Sequence, residues 1–214
     1  MVAAPATCYL LNMFTERVQS RSARREATRQ KVLASAERLF RERGFAATTV
    51  RQIAADAQVS AGSVMAVGDK DALLVAIFDG WIAGVHSGRS ADRDAAGPPL
   101  VPAAAVQQVV DLLRPFIEYF ALDRELSREY AAIVVRGAHE SAIFQDIALV
   151  LIDEFNAVLS RTGLTHADAN QGARVLYFAY LGILMSAGNG AVDDPIVVDR
   201  IREATQFIVT HKGE

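Results

Sequence analysis

The 214-residue sequence has only one cysteine, Cys8, so it can form neither an intramolecular disulfide nor a cluster of thiolate metal ligands. This scarcity fits a reducing compartment. No apolar run approaches the ~18 residues that a membrane-spanning helix needs. The apolar stretch at residues 9–14 is short and has no basic segment before it, so a secretory signal is not expected. These absences predict a cytoplasmic protein without a membrane partner.

Sequence motifs typical of enzymes are also missing. The four histidines are far apart, and none belongs to a His-x-x-x-His pair. There is no Gly-x-Ser-x-Gly elbow, phosphate-binding loop or dinucleotide fingerprint. Acidic pairs such as Asp153-Glu154 and Asp193-Asp194 are adjacent in sequence, so they do not face each other on a helix. We therefore expect no enzyme activity, no cofactor and no metal.

Positive charge is concentrated near the N-terminus. Residues 1–70 carry 11 Lys and Arg against 6 Asp and Glu, a net of +5, whereas residues 71–214 carry 11 against 19, a net of −8. This asymmetry indicates a polyanion-binding end on an acidic body, since phosphate contact needs only local positive charge. The alternative is a solvated, disordered arm. The densest basic residues are Arg17, Arg21, Arg24, Arg25, Arg29 and Lys31.

Apolar residues recur with a helical period through most of the chain, and no alternating strand pattern competes with it. Residues 1–24 lack this period and are predicted to form a flexible basic tail. A first helix is predicted from Thr28, which can cap its start. Two short helices with caps at Thr48 and Ser60 follow, and Asp69 is predicted to cap a fourth.

The remaining sequence is predicted to form five more helices after a linker rich in Gly and Pro. Pro115 falls inside one of them, so a kink is expected there. The fold class predicted from these patterns is all-α. The linker spans residues 87–103, and the helices span about 103–122, 124–137, 140–162, 167–188 and 196–211.

A tight turn at residues 57–62 joins the second and third helices. This is the spacing of a helix-turn-helix, in which the second helix enters the major groove of DNA. Pattern alone leaves an ordinary helical hairpin as the alternative. The residues that can close a small core between these helices are Phe40, Phe45, Val50, Ile53, Ala54, Val59 and Val64.

Four ordered segments carry a family resemblance: Ala36–Phe40 (AERLF), Arg43–Ala54 (RGFAATTVRQIA), Ala57–Ser63 (AQVSAGS) and Asp69–Leu74 (DKDALL). They resemble the N-terminal domain of TetR-type (tetracycline-repressor-like) transcriptional regulators. The resemblance implies a helix-turn-helix DNA-binding domain at 25–70 and a helical effector-binding and dimerisation domain at 71–214. It also implies a homodimer that represses transcription from a palindromic operator and is released by a small hydrophobic effector.

Roles in DNA contact can be assigned to individual residues. Thr48 and Thr49 lie at a predicted helix N-terminus, which suits a phosphate. Arg51 can reach a phosphate or a base edge, and Lys70 matches the family's phosphate-contacting lysine. The predicted DNA-binding residues are Arg24, Arg25, Arg29, Thr48, Thr49, Arg51, Ser60, Ala61, Ser63, Val64, Met65 and Lys70.

The predicted recognition helix departs from the family pattern. The usual aromatic-rich segment, Tyr-x-Tyr/His-Phe before the lysine, is replaced by Met65-Ala66-Val67-Gly68, which is one residue shorter. Few polar side chains remain for hydrogen bonds to base edges. Readout is therefore expected from Arg51, from the arginine-rich arm or from DNA shape. The alternative function is a helical module that binds a small molecule or a partner and has weakened or lost DNA binding.

Aromatic and polar residues on apolar helix faces of the C-terminal region are predicted to line the effector pocket. Their alternative role is plain core, which is the usual role of aromatic residues at helical spacing. The predicted pocket residues are Trp81, Phe116, Tyr119, Phe120, Tyr130, Arg136, His139, Phe155 and Tyr177.

The last two helices are predicted to form the dimer interface, because they combine small residues with a wide apolar face. The alternative is that these faces pack within the chain. The predicted interface residues are Ala179, Gly182, Ile183, Ser186, Ile201, Ala204, Thr205 and Ile208.

Overall fold

The structure, a computed structural model, describes the backbone of residues 6–89, 97–137, 142–188 and 194–210. Side chains are described for 21–88, 97–137, 148–186 and 196–210. Every regular element in these ranges is helical, which confirms the all-α prediction. The helices are α1 (Ala6–Arg43), α2 (Val50–Asp56), α3 (Ala61–Val67), α4 (Lys70–Arg89), α5 (Pro102–Leu122), α6 (Arg124–Arg136), α7 (Ala142–Leu159), α8 (His166–Gly188) and α9 (Asp194–Thr210), with a 3-10 turn at Ser160–Thr162.

The first helix begins much earlier than the sequence pattern predicts. It starts at Ala6, whereas the prediction placed a tail at 1–24 and the helix start at Thr28. The Thr28 hydroxyl donates a hydrogen bond to the Arg24 carbonyl at 2.9 Å, so Thr28 lies inside the helix and does not cap it. Residues 6–27 contain neither Gly nor Pro and many good helix formers. Residues 21–27 are exposed and carry no apolar stripe, so the sequence pattern does not indicate that this part of the chain is helical.

The start of α2 is held by a capping box. The Thr49 hydroxyl oxygen accepts from the Gln52 amide at 3.3 Å, and the Gln52 side-chain oxygen accepts from the Thr49 amide at 2.8 Å. Two backbone donors at the helix N-terminus are therefore satisfied reciprocally. The predicted cap at Thr48 is wrong by one residue.

The caps of the next two helices are confirmed. The Ser60 hydroxyl accepts from the Ser63 amide at 3.0 Å, and the Asp69 carboxylate accepts from the Ala72 amide at 2.8 Å. Gly68 separates α3 from α4, and a Cβ at this position would lie 2.8 Å from the Ala72 Cβ. The tight turn between the two helices thus requires glycine, which explains how α3 can be followed so closely by α4.

The chain divides into two compact units, Met1–Leu74 and Val75–Glu214, and their boundary falls within α4. In the first unit, α1, α2 and α3 pack on one another around the rings of Phe40 and Phe45, whose centroids lie 5.1 Å apart. Arg38 of α1 hydrogen-bonds Asp56 of α2, and this bond holds the pKa of the Asp56 carboxyl below its usual value. The buried apolar residues are Val32, Ala36, Leu39, Phe40, Phe45, Ile53, Ala54, Ala57, Val64, Leu73 and Leu74.

In the second unit, α8 packs against α7 and α9, and α5 packs against α7 and α9. The core formed in this way includes Leu113, Phe155, Leu176 and Ile201, all fully or almost fully buried. Pro115 lies inside α5, which continues to Leu122. This core surrounds the pocket that is described below.

Arg161 fastens the segment that leads into α5. Its Nε donates to the Pro98 carbonyl at 2.9 Å, and its own carbonyl accepts from the Leu100 amide at 2.7 Å. Arg161→Ala is expected to lower the free energy of unfolding by about 1 kcal/mol, because the Pro98 carbonyl loses a charged donor. Hydrogen exchange at Leu100 should become faster, whereas Arg174→Ala on the exposed face of α8 should leave it unchanged. Unchanged exchange in Arg161→Ala would contradict this role.

Candidate functional site

The helix α3 presents a small and apolar surface to solvent. Ala61 and Met65 are exposed, with Met65 53% exposed, and Gly62 lies beside Ala61. Val64 is completely buried in the core of the first unit, so the predicted contact of Val64 with DNA is wrong. The periodicity of an amphipathic helix already points Val64 inward, and this signal was available in the sequence.

Thr48 is also a structural residue. Its side chain is only 1% exposed, and its hydroxyl lies 2.9 Å from the Gly44 carbonyl and 3.2 Å from the Leu39 carbonyl. The predicted phosphate contact of Thr48 is therefore wrong, because the hydroxyl is buried and already has its acceptors. Thr49 and Arg51 are exposed at the start of α2 and remain predictions.

Thr48→Val is expected to lower the free energy of unfolding by about 1–2 kcal/mol, since it keeps the shape of the side chain but removes a buried donor. Urea denaturation followed by circular dichroism measures this change. Thr48→Ser keeps the donor and serves as the matched control, which should recover most of the hydrogen-bond contribution. Unchanged stability in the valine variant would show that the hydroxyl contributes nothing.

Lys70, the first residue of α4, also contacts its own unit. Its Nζ donates to the Phe45 carbonyl at 2.9 Å and lies 4.3 Å from the centroid of the Phe45 ring. An ammonium group has three donors, so this bond leaves two for an anion. The position of Lys70 is thereby fixed against the loop that precedes α2.

An open groove, which we call the basic groove, runs between α1 and α3 on the surface of the first unit. Arg24, Arg25 and Arg29 are exposed along it, and Arg25 and Arg29 are one helical turn apart on the same face. The sequence placed Arg24 in a flexible tail, whereas the structure places all three arginines on the helix α1. The groove is lined by Ser22, Arg24, Arg25, Glu26, Thr28, Arg29, Ser63, Ala66 and Val67.

The second unit contains an apolar pocket that is partly open to solvent, which we call the ligand pocket. Four of the predicted residues named above line it, Tyr180 was a further aromatic candidate, and five lining residues were missed. Three of the missed residues follow a Leu and Met stripe on α8 at spacings of three and four, which is a signal that the sequence contained. The predicted lining residues are Phe116, Phe120, Tyr130, Tyr177 and Tyr180, and the missed ones are Ile82, Leu151, Leu181, Leu184 and Met185.

Three other predicted pocket residues lie in the core around this lining. The indole ring of Trp81 stacks on the ring of Tyr119 with centroids 3.8 Å apart and meets the Phe116 ring edge-on at 5.8 Å. Phe155 is completely buried. Arg136 is exposed at the end of α6 and does not line the pocket, and His139 lies outside the described residues.

Polar groups lie behind the lining of the ligand pocket. The Tyr130 hydroxyl is 3.4 Å from Oδ1 of the buried Asp79. His86 Nδ1 is 3.8 Å from Oε1 of Glu154, and both side chains are buried. Burial raises the pKa of the Tyr177 hydroxyl, so this group stays protonated at neutral pH.

The predicted dimer interface is partly wrong. Ile201 and Thr205 are completely buried within their own chain, and the Thr205 hydroxyl donates to the Ile201 carbonyl at 2.8 Å. A wide apolar face on α9 indicates that the helix packs against other helices, but it does not indicate which of its residues remain exposed on the surface of the chain. Gly182 and Ser186 are exposed, whereas Ala179, Ile183, Ala204 and Ile208 are partly buried.

Three large apolar side chains are exposed on α8 and α9. They are Val175 (53% exposed), Phe178 (67%) and Phe207 (62%). Val175 and Phe207 share one groove, and Phe178 is one helical turn from Val175. We call these three residues, together with Gly182, the α8–α9 face. Contiguous exposed apolar groups of this kind mark interaction surfaces.

Two classes of site find no support in the part of the chain that the structure describes. No group of His, Cys, Asp or Glu side chains there could hold a metal ion. None of the helices described is both long enough and apolar enough to pass through a bilayer.

Comparison with known proteins gives a match in the N-terminal region and a likeness of fold over most of the chain. Residues 32–77 match the family model described as bacterial regulatory proteins, tetR family. No curated protein sequence matches the chain.

Three solved structures illustrate the likeness of fold. A TetR transcriptional regulator from Rhodococcus sp. RHA1 is 19% identical, with a TM-score of 0.61 over 86% of this chain and 96% of the other. Thermus thermophilus FadR, a TetR-family transcriptional repressor in complex with lauroyl-CoA, is 18% identical, with a TM-score of 0.58 over 84% and 92%. SmeT in complex with triclosan is 23% identical, with a TM-score of 0.50 over 86% and 90%.

Proposed function

We propose that the chain is a TetR-type transcriptional regulator that represses transcription by binding a palindromic operator as a homodimer, since residues 32–77 match the tetR family model. In this proposal residues 25–70 bind DNA, and residues 71–214 bind a small hydrophobic effector and form the dimer. The observation that carries the proposal is the position of the basic groove beside the exposed face of α3. A recognition helix and a set of phosphate-binding cations then lie on one surface of the first unit.

The division of roles on this surface follows from its chemistry. Ala61 and Met65 offer methyl and thioether contacts, which suit thymine methyl groups but supply no bidentate hydrogen bond to a base. Arg24, Arg25 and Arg29 can bind phosphates along the strand beside the groove. Most of the affinity then comes from phosphates, and specificity depends on methyl contacts, on Arg51 and on DNA shape.

The salt dependence of DNA binding tests the role of the basic groove. The triple variant Arg24→Gln, Arg25→Gln, Arg29→Gln is expected to flatten the plot of log affinity against log salt concentration by about 2.7 per protomer, or about 0.9 for each lost phosphate contact. Fluorescence anisotropy at several salt concentrations measures this slope. The triple variant Arg174→Gln, Arg200→Gln, Arg202→Gln removes the same charge from exposed positions of the second unit and should keep the wild-type slope. Equal slopes in the groove variant and the wild type would exclude these arginines from the interface.

The effector is proposed to bind in the ligand pocket. Its lining is mostly aromatic and aliphatic, as the lining of small-molecule sites usually is. The helix α4 connects this pocket with the DNA-binding domain along the chain, since Lys70 begins the helix and Ile82 lines the pocket. A ligand that binds more tightly to one position of α4 shifts the protein toward that position. The affinity for DNA then changes by the coupling free energy between the ligand site and the DNA site.

The whole proposal is tested by selecting bound fragments from a random DNA pool. A repressor of this type enriches an inverted repeat with two half-sites, since a two-fold symmetric dimer reads a two-fold symmetric sequence. The second candidate is a ligand-binding module without DNA binding, which the small side chains on the outer face of α3 favour. A pool that stays random after repeated selection at low salt would support this second candidate.

A further inference from the structure

We propose that the ligand pocket takes an uncharged aromatic compound with one hydroxyl or carbonyl group and discriminates against anions of the same size. This inference rests on the proposed function, in which the pocket is the effector site. It specifies the chemical class of the effector, which the fold does not define.

Among the residues that the structure describes, none that lines the pocket carries a charge. Five of its ten residues are aromatic, namely Phe116, Phe120, Tyr130, Tyr177 and Tyr180, and the others are Ile, Leu and Met. A charged ligand group placed against such a lining loses its hydration and gains no ion pair, so its burial is costly. Aromatic ligands, by contrast, find ring partners at the edge-to-face and stacked distances that such side chains prefer.

The polar atoms of the lining are the hydroxyl groups of three tyrosines. Since Tyr130 directs its hydroxyl to Asp79, the lone pairs on its oxygen can accept a hydrogen bond from a ligand hydroxyl. Tyr177 stays protonated at neutral pH and can donate to a ligand carbonyl or hydroxyl oxygen. A neutral hydroxyl group on the ligand can both donate a hydrogen bond to a tyrosine hydroxyl and accept one from it, and a carbonyl group can accept one.

Two acidic side chains lie close to the lining. Asp79 lies one helical turn before Ile82 on α4, and Glu154 lies one turn after Leu151 on α7, so both buried carboxyl groups are close to lining residues. His86 is the basic group near Glu154, and its ring lies 5.2 Å from the Phe116 ring. Neither carboxyl group offers an ion pair to a ligand carboxylate, so burial of the ligand charge stays costly.

The chain contains its own reporter of pocket occupancy. Trp81 is the only tryptophan, and it lies between the Tyr119 ring and the Phe116 ring. Phe116 also lines the pocket, so a bound ligand that moves this ring changes the surroundings of the indole. Binding can therefore be followed by tryptophan fluorescence without DNA, and calorimetry gives an independent measurement.

Three compounds of nearly equal shape test the inference: 4-tert-butylbenzyl alcohol, 4-tert-butylbenzoate and 4-tert-butylbenzylammonium, each titrated into the full-length protein at pH 7. The alcohol is expected to bind at least about tenfold more tightly than either ion, because only the ions must bury a charge. Equal or tighter binding of the benzoate or of the ammonium compound would overturn the proposal. Failure of all three to bind up to their solubility limits would overturn it as well.

A pair of variants tests the hydrogen bond from the lining. Tyr177→Phe keeps the ring and removes the hydroxyl, so the affinity for the alcohol is expected to fall about fivefold. Tyr119→Phe removes a hydroxyl from a ring outside the lining and should leave the affinity unchanged. Equal affinities in the wild type and both variants would show that the Tyr177 hydroxyl does not bind the ligand.

The two levels of the proposal fail in different ways. If the alcohol binds selectively but does not change the affinity for DNA, the inference about the pocket holds and the proposed coupling to DNA is wrong. If the protein binds DNA but does not prefer the uncharged compound, the proposed function as a regulator stands and the inference about the pocket is wrong.

Discussion

Met65→Glu is expected to lower the affinity for operator DNA at least about hundredfold, because it places a carboxylate on the exposed face of the recognition helix, where phosphates and base-edge acceptors surround it. Since Met65 is more than half exposed, this variant should fold with unchanged stability. Anisotropy with a labelled operator measures the affinity, and thermal unfolding measures the stability.

Two controls test whether the loss of DNA affinity depends on the position and sign of the new charge or only on its presence. Leu149→Glu places the same side chain at an exposed apolar position of α7 in the second unit and should leave DNA binding unchanged. Met65→Lys introduces the opposite charge and should retain binding, with a steeper salt dependence. Wild-type affinity in Met65→Glu would mean that α3 does not enter the major groove of DNA.

Phe178→Glu is expected to convert the proposed dimer into monomers, with an increase of at least about a thousandfold in the dimer dissociation constant. Aromatic residues at the centre of an interface contribute much of its binding energy, and a buried carboxylate opposite its symmetry mate adds repulsion. Phe178 is 67% exposed in the single chain, so the change should not disturb the monomer core. Sedimentation equilibrium at several concentrations measures the dissociation constant.

Leu122→Glu is the matched control, because Leu122 is equally large and exposed but lies at the end of α5. This variant should remain dimeric. The monomeric Phe178→Glu protein should also bind a full operator much more weakly, since each chain then binds only one half-site. A dimer of unchanged stability in Phe178→Glu would place the interface away from the α8–α9 face.

The fold was predictable because most helices bury one face. Val64 and Leu176, for example, belong to apolar stripes with a helical period, and Ser60 and Asp69 mark helix starts that the structure confirms. The start of α1 was not predictable in this way. Residues 21–27 of this helix are exposed and carry no apolar stripe, so local propensity is the remaining signal there.

The sites were less predictable because the same residue types serve the core, a pocket and an interface. Thr48 and Thr49 are adjacent and chemically identical, yet one is buried under the loop and the other caps α2. Ile201 and Phe207 both lie on the apolar side of α9, but only Phe207 remains exposed. Which part of a wide apolar face is covered depends on where the neighbouring helices cross it, and a single sequence does not encode this locally.

The most direct test of the central claim is binding to the DNA immediately upstream of the chain's own coding sequence, measured at two salt concentrations with random-sequence competitor. The account predicts that a dimer binds this DNA in preference to the competitor, with an affinity that falls about a thousandfold or more between 50 and 200 mM salt if six or more phosphates are contacted. Addition of a ligand that fills the pocket should then release the DNA. Binding that shows neither sequence preference nor salt dependence would contradict the account.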